Sequence, residues 1–387
     1  IALWRRTGVW PHHQDLAGTL FLTRLIYLSP VPWASFAQRP QKFVEWFHAR
    51  TGSDVIWVDP YPTRLPRLSD LRRPRPPKVL AGNAPPDWLR VLKPLALPIE
   101  PLPGSGWINI FWRPTLTALD GFAQGHDTLV VAGKPSVFAL AVLKRLKRAR
   151  SLYDAMDEFP AFYTGFSRQA LAHREEQLVR QVDTLWVTST RLQQHWSGLR
   201  PDLQLVANAL DDTLMPAPRM RAPDAQPKVF GYVGTIASWF DWDWVIALAK
   251  ARPQDVIRLI GPVFHAAPAT LPANIELLPG CHHAAALDAM RDFDVGLIPF
   301  VRNDLTASVD PIKFYEYRAL NLPVISTQFG EMAFRAHEPG TFISASLQDI
   351  GALAESALSL ENDCAAAEAF ANRNAWSSRF DAANLLP

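Results

Sequence analysis

Lys313 and Glu316 are the two charged side chains in this chain whose spacing most clearly suggests chemistry. They stand three residues apart near the start of a predicted helix and so share a face. An ammonium group beside a helix N-terminus makes an anion site. A carboxylate one turn later can accept hydrogen bonds from sugar hydroxyls. The surrounding stretch, Asp310 to Thr327, reads as a short loop, a helix of about two turns, a tight turn at Asn321 and the strand Pro323–Thr327. Pro311 suits a first helical turn, where a missing N–H costs nothing. The strand is apolar and β-branched, as strands covered on both faces are. The plainer alternative is a solvated i,i+3 pair worth a few tenths of a kcal/mol.

Such a pair needs a framework, and the chain is long enough to supply one. Its 387 residues suggest two or three domains. The two cysteines, Cys281 and Cys364, give no disulfide framework, so a reducing compartment is expected. The net charge of +2 is small but unevenly spread. Arg64, Arg67, Arg72, Arg73, Arg75 and Lys78 crowd one Pro-rich segment, and Lys144, Arg145, Lys147, Arg148 and Arg150 another. No run reaches the roughly 18–20 apolar residues of a membrane span, since Leu16–Leu28 is interrupted by Thr23 and Arg24. No secretory signal is expected, which places the protein in the cytoplasm.

Strand, helix and strand follow one another at Leu25–Ser29, Arg39–Thr51 and Asp54–Val58, a βαβ unit that implies a parallel sheet. Further strands are expected at Val91–Ile99, Thr128–Ala132, Ser151–Met156, Thr184–Thr188 and Leu203–Val206. Helices are expected at Val137–Arg150, Arg168–Val182 and Arg191–Ser197, the last capped by Ser189. Residues 211–227 carry four prolines and read as a linker. The alternation restarts with Val229–Val233, Trp242–Ala251, Val256–Ile260, Ile275–Leu278, His282–Arg291 and Val295–Phe300. Ala352–Leu360 and Ala365–Phe380 are the final helices. The fold class is α/β: two doubly wound Rossmann-like domains facing across a cleft. The first covers residues 1–210 and the second 228–365, with 366–387 returning to the first.

Ligands bind beyond the carboxyl ends of such strands. Gly231-Tyr-Val-Gly234-Thr235 stands at one of these ends, and its small residues let a backbone approach a phosphate. Gly261-Pro262 stands at another. The Asp310–Thr327 stretch resembles the nucleotide-sugar segment of GT-B glycosyltransferases, Pro-x-Lys-x-x-Glu-Tyr, a small-residue turn, then Pro-Val-[Val/Ile]. Ser29 to Trp33, Gln38-Arg-Pro-Gln41, Trp57 to Pro60 and Tyr153-Asp-Ala-Met-Asp157 resemble, in order, the GT4-like group of bacterial surface-polysaccharide assembly, with some likeness to the xanthan-type glucuronosyltransferase.

The resemblance implies a transferase moving a sugar from a nucleoside-diphosphate sugar, most readily a UDP-sugar, to a glycan or lipid-linked acceptor. It implies no cofactor or metal. Donor contacts fall on Gly234, Thr235, Gly261, Pro262, His282, Asp310, Lys313 and Glu316, and acceptor contacts on Trp33, Arg39, Asp154 and Asp157. Asp157, at a strand end of the acceptor domain, is the candidate base for an inverting reaction. Asp241 is expected to cap the helix at Trp242, and His282-His283 is a poor metal pair, since adjacent histidines face different ways.

Two departures stand out. Retaining members commonly carry two glutamates eight apart, and here Ser308 takes the first position. The Lys-Gly pair usual after the first strand of the second domain is missing, with Ala237–Asp243 in its place, leaving Lys313 and backbone amides to meet the diphosphate, with Arg302 as a helper. A non-catalytic GT-B binding module and a nucleotide-sugar 2-epimerase are therefore alternative readings. The basic clusters suggest peripheral contact with an anionic membrane surface, and no aromatic-interleaved motif suggests nucleic acid.

Overall fold

The structure, a computed structural model, describes residues 24–35, 38–63, 84–108, 110–221 and 226–386. Seven parallel strands form the first sheet: β1 (Arg24–Leu28), β2 (Asp54–Val58), β3 (Leu89–Leu92), β4 (Thr128–Ala132), β5 (Arg150–Ala155), β6 (Thr184–Val187) and β7 (Gln204–Leu205). Their order is β3-β2-β1-β4-β5-β6-β7. Six parallel strands form the second: β8 (Val229–Val233), β9 (Val256–Ile260), β10 (Ile275–Leu278), β11 (Val295–Ile298), β12 (Val324–Thr327) and β13 (Thr341–Ser344), ordered β10-β9-β8-β11-β12-β13. Each order reverses once, between β1 and β4 and between β8 and β11. The crevices at those reversals are where an open α/β sheet receives ligands.

The strands are apolar because both faces are covered. Leu25–Leu28, Val55–Val58 and Leu129–Ala132 are buried. One face of the first sheet carries an aromatic core in which Tyr27 stacks on Trp57 at 5.3 Å and Phe43 meets Trp46 at 5.4 Å. Helix Trp376–Ala382 completes this core from the far end of the chain. Its Phe380 is fully buried against Phe43, Trp46 and Trp186.

Several elements differ from the sequence expectation. The helix expected over Ala365–Phe380 is two helices, Cys364–Arg373 and Trp376–Ala382. The break lets Leu210 pair with the chain, its N–H donating to Asn374 O at 2.9 Å and its carbonyl accepting from Trp376 N at 3.0 Å. Helices Ser105–Ile108 and Arg113–Ala123 and strand β13 were not anticipated. The strand expected at Val91–Ile99 is shorter and begins earlier, at Leu89. The basic cluster Arg64 to Lys78 and the N-terminal stretch to residue 23 lie outside the described residues.

Buried charges brace the first domain and tie it to the second. Arg39 opens helix Arg39–Thr51 and forks onto the Asp154 carboxylate, Nη2 to Oδ1 at 2.8 Å and Nε to Oδ2 at 2.9 Å; both residues are buried. Its Nη1 donates to Ala207 O at 3.1 Å. The guanidinium carbon also lies 5.5 Å from the Phe380 ring centroid. One residue on, Asn208 donates its backbone N–H to Asp310 Oδ2 and its side-chain amide to Asp310 O, both at 2.7 Å. Asp310 in turn accepts from Arg335 Nη2 at 2.7 Å and Tyr315 Oη at 2.9 Å. Breaking a buried pair strands the remaining charge and costs about 3–5 kcal/mol, whereas replacing both partners by apolar groups is often neutral. Urea unfolding should therefore show Arg39→Met destabilised by about 3–5 kcal/mol and the double variant Arg39→Met/Asp154→Leu recovering most of that loss. Equal loss in both variants would mean that packing, not charge, sets the cost.

Candidate active site

A cavity of about 820 Å³ opens between the domains. From the second domain it receives Gly234 and Thr235 after β8, Gly261 and Pro262 after β9, His282 and His283, and Lys313 and Glu316. From the first it receives Trp33, Gln38, Gln41, Lys42 and Glu45, with Asp211 and Trp376 at the crossing.

Helix Ile312–Ala319 presents the two charged residues, with Pro311 as its N-cap rather than inside its first turn. Asn321 has φ of 63°, the left-handed turn expected there. Gly234 and Gly261 have φ of 146° and 152°, and the space around them excludes any side chain. A Cβ on Gly261 would lie 2.0 Å from Gly234 O, and one on Gly234 would lie 2.5 Å from Lys313 Cε and 2.7 Å from its Nζ. The Lys313 ammonium thus lies directly against the glycine turn, 5.4 Å from the Tyr232 ring centroid. Among the described residues no carboxylate lies within ion-pair distance of it. Burial lowers its pKa, with Glu316 pulling weakly the other way. An ammonium without an ion-pair partner beside a turn free of side chains can take an anion.

Glu316 has a partner the sequence reading overlooked. His283 Nε2 lies 2.8 Å from Glu316 Oε1, while the expected His282 serves as the helix N-cap residue. That hydrogen bond, ahead of an opposing effect of burial, raises the His283 pKa. Across the cavity Lys42 Nζ pairs with Asp211 Oδ2 at 2.7 Å and Glu45 Oε2 at 2.8 Å. Lys42 and Glu45 could have been noticed as an i,i+3 pair of opposite charge on one helix; Asp211 was hidden in what read as a linker.

Other expected contacts fall elsewhere. Arg39 and Asp154, expected to bind acceptor, are consumed by each other in the interior. Asp310, expected to bind donor, is 4 % exposed and bound to Asn208, Arg335 and Tyr315, so it anchors the domains instead. Trp33 does line the cavity, edge-on to Trp57 at 5.1 Å. Asp157 lies two residues past β5, in the loop that leads to the short turn Phe159–Phe162, whose Phe162 lines the cavity. Among the described residues its carboxyl takes no hydrogen bond, and burial pushes its pKa up to about 7. Asp241 and Ser189 cap helices, accepting from Trp244 N at 2.9 Å and Leu192 N at 3.3 Å. Arg302 is exposed outside the cavity. Ser308, at the position of the absent glutamate, donates to Glu158 Oε2 of the first domain at 2.9 Å. Among the described residues no three His, Cys, Asp or Glu side chains gather as metal ligands would.

This arrangement is the GT-B fold, two parallel Rossmann-like sheets of seven and six strands. Solved structures share it along nearly the whole chain. A sucrose-phosphate synthase from Thermosynechococcus elongatus aligns with a TM-score of 0.60 at 14 % identity, covering 93 % of this chain and 94 % of that one. The lipopolysaccharide outer core galactosyltransferase WaaB, in its apo form, aligns at 0.59 and 10 % identity, covering 93 % and 98 %. The trehalose-6-phosphate structure from E. coli bound with UDP-2-fluoro glucose aligns at 0.58 and 12 % identity, covering 93 % and 98 %. At such identities the likeness is one of fold. No protein-family model and no curated protein matches the chain by sequence.

Two predictions follow from the electrostatics. Lys313→Met removes a desolvated charge, so the unliganded protein should be as stable as the wild type or up to about 2 kcal/mol more so. The same variant should bind an anionic ligand of this cavity about 10–100-fold more weakly, the loss of one charge-assisted contact. Calorimetry of both properties checks this, and a destabilised variant with intact binding would place Lys313 in the scaffold alone. For His283, a folded-state pKa above the unfolded value means its contribution to stability is full below about pH 6.5 and fades as pH rises through the folded pKa. NMR titration should find the imidazole above 6.5 in the wild type and lower in Glu316→Gln.

Proposed function

We propose that this protein is a glycosyltransferase that takes a sugar from a nucleoside-diphosphate donor and passes it to a hydroxyl of a glycan or lipid-linked glycan, in the assembly of a bacterial polysaccharide. The observation that carries the reading is the uncompensated Lys313 ammonium under the Gly234 turn, one helical turn from Glu316, in a cavity that both domains line. The fold it shares with transferases of nucleotide sugars supports the same conclusion.

In this reading the donor lies on the second domain. The diphosphate sits at Lys313 and the backbone of Gly234-Thr235, with the ribose or sugar hydroxyls on Glu316, which His283 holds in place. UDP is the expected nucleotide. The acceptor hydroxyl attacks the anomeric carbon as the bond to the diphosphate breaks, and the electron pair of that bond moves onto the leaving oxygen. The ammonium stabilises that developing charge without having to reorganise. With inversion at the anomeric carbon, the acceptor proton passes to Asp157, whose pKa of about 7 suits a base working near neutrality. With retention, Asp157 positions the acceptor. Trp33 supplies a flat apolar wall on the acceptor side.

The test is a thermal-shift panel of UDP, GDP, dTDP and their common sugars, followed by NMR of the product's anomeric centre. A nucleotide at a hundred times its Kd stabilises by about 2.7 kcal/mol, a readable shift. Wild type should respond to one nucleotide, and Glu316→Gln should respond less. Asp157→Asn should keep the donor shift, lose about 10²–10⁴ in kcat and lose the rise in rate through pH 7. Donor binding without transfer or hydrolysis would make the protein a binding module, and an epimerised donor would make it an epimerase.

A further inference from the structure

Lys313 and Glu316 share the face of helix Ile312–Ala319 that meets the cavity. Tyr315 and Arg318, also three apart, share a different face, and arginines collect there. Arg335 and Arg379 both approach the Tyr315 ring, their guanidinium carbons 4.8 and 6.0 Å from its centroid. The Arg318 guanidinium lies against the turn before β13, where a Cβ on Gly340 would stand 2.5 Å from its Cζ. Arg221 reaches the same helix end where the chain passes between the domains. Its backbone N–H donates to Asn362 Oδ1 at 2.9 Å, which also accepts from Asn321 Nδ2 at 3.2 Å, in the turn that ends the helix.

The nearby acids leave this group unbalanced. Asp310 is held by Arg335 Nη2 at 2.7 Å, and Glu338 Oε1 lies 3.5 Å from Arg335 Nε. Asp294 lies 3.7 Å from Lys228 Nζ. Among the described residues, Arg221, Arg318 and Arg379 have no carboxylate within ion-pair distance. They donate instead to neutral oxygens: Arg221 Nη2 to Leu360 O at 2.7 Å, Arg318 Nη1 to Leu322 O at 2.8 Å and Arg379 Nη2 to Asn374 Oδ1 at 2.6 Å. Arg221 is only 6 % exposed. Its Nε and that of Arg379 are buried without a hydrogen-bond partner among the described residues. Burial, and after it the charge of Arg221, lowers the Arg318 pKa, with Glu338 opposing. Capping the helix C-terminus accounts for Arg318 but not for Arg221 or for Arg379, which stands on helix Trp376–Ala382. Buried cations that repel one another are unfavourable until an anion joins them.

We infer that these arginines form a second anion site, apart from the cleft, which binds the phosphate group of a small molecule, with Arg318 at its centre and Glu338 as the counter-ion that the ligand displaces. Guanidinium groups favour phosphate, whose oxygens take forked N–H donors from several sides at once. Glu338 can yield its place, since its side chain is 45 % exposed. The helix of Arg379 is seated on the first domain through Phe380, whereas Arg318 and Arg335 belong to the second. A phosphate held by both sets ties the C-terminal helix to the second domain.

The site is independent of the transferase reading. The experiment is a thermal-shift titration of the full chain with inorganic phosphate and with glycerol 3-phosphate, against sodium chloride at equal ionic strength. At least one of the two phosphates should raise the melting temperature beyond the chloride control. A tighter response to glycerol 3-phosphate marks a phosphate monoester as the ligand, and the reverse marks the free ion. The response should persist in Lys313→Met, which disables the cleft ammonium. Arg318→Gln and Arg379→Gln should each weaken it about tenfold or more. Glu338→Gln alters only the half-exposed counter-ion and should tighten binding about threefold; arginines with a purely structural role would give no such gain. That variant keeps the test open if an arginine variant fails to fold. No response beyond chloride, a response lost in Lys313→Met, or one that neither the arginine variants nor Glu338→Gln alter would each overturn the inference. The response to UDP is measured separately, so failure here leaves the transferase reading standing.

Discussion

Arg39 and Asp154 have both been taken out of water, and the structure tolerates this because they remain together. Each charge would cost several kcal/mol alone. Their fork fixes helix Arg39–Thr51 against β5, and the third nitrogen of Arg39 fixes residue 207 as the chain leaves the first domain. The next residue, Asn208, passes the constraint to Asp310, which is held in turn by Arg335 and Tyr315. The return of the chain seals the arrangement from the other side, with Phe380 under the guanidinium. Polar groups of this kind have stringent geometry, so they fix the domains relative to one another in a way that apolar contact between flat surfaces would not.

The cleft uses charge in the opposite manner. Arg39, Asp154, Asp310 and Arg335 each have an ionised partner, whereas Lys313 is partly desolvated and left without one among the described residues. A structure that wanted stability alone would place an apolar residue there. The glycines at 234 and 261 point the same way: a Cβ on Gly261 would meet the Gly234 carbonyl and one on Gly234 the end of Lys313, so both positions leave room beside the ammonium that a larger residue would fill. An ammonium without an ion-pair partner and two turns that only glycine can make thus lie together at one end of the second sheet.

Much of this could be read from the sequence, because periodicity and turn residues report local structure. Helix Arg39–Thr51 and strands β2, β4, β8, β9 and β10 fall where the apolar pattern and the flanking glycines and prolines put them. Lys313 and Glu316 were visible because they lie three apart on one short helix. The partners of charged residues were not visible. Arg39 and Asp154 are 115 positions apart, and Asn208 and Asp310 are 102 apart. Nothing in either local context says that these groups face one another rather than a ligand. His283 was missed for a related reason: of two adjacent histidines, helix phase decides which meets Glu316, and that phase depends on where the cap falls. The break at Asn374–Ala375 likewise answers to Leu210, a residue far away in sequence.

The stretch that carries Lys313 and Glu316 also carries contacts between the domains. Ser308 reaches Glu158, Asp310 reaches Asn208, and two to six residues later Ile312, Lys313 and Glu316 face the cavity. Glu331, just beyond β12, adds a carboxylate to the start of helix Thr190–Ser197, accepting from Thr190 N at 2.5 Å. Ligand-facing and hinge-facing groups are thus mounted on one loop and one helix start. A change in domain orientation must move Lys313 and Glu316 relative to the residues of the first domain, and an anion that fixes Lys313 must restrain the domains. The serine at 308 fits this economy: a short hydroxyl in place of a carboxylate leaves room for Glu158 to cross from the first domain, where a glutamate would have met it with like charge. The hydrogen bond from Ser308 therefore leaves a carboxylate in that region, supplied by the first domain.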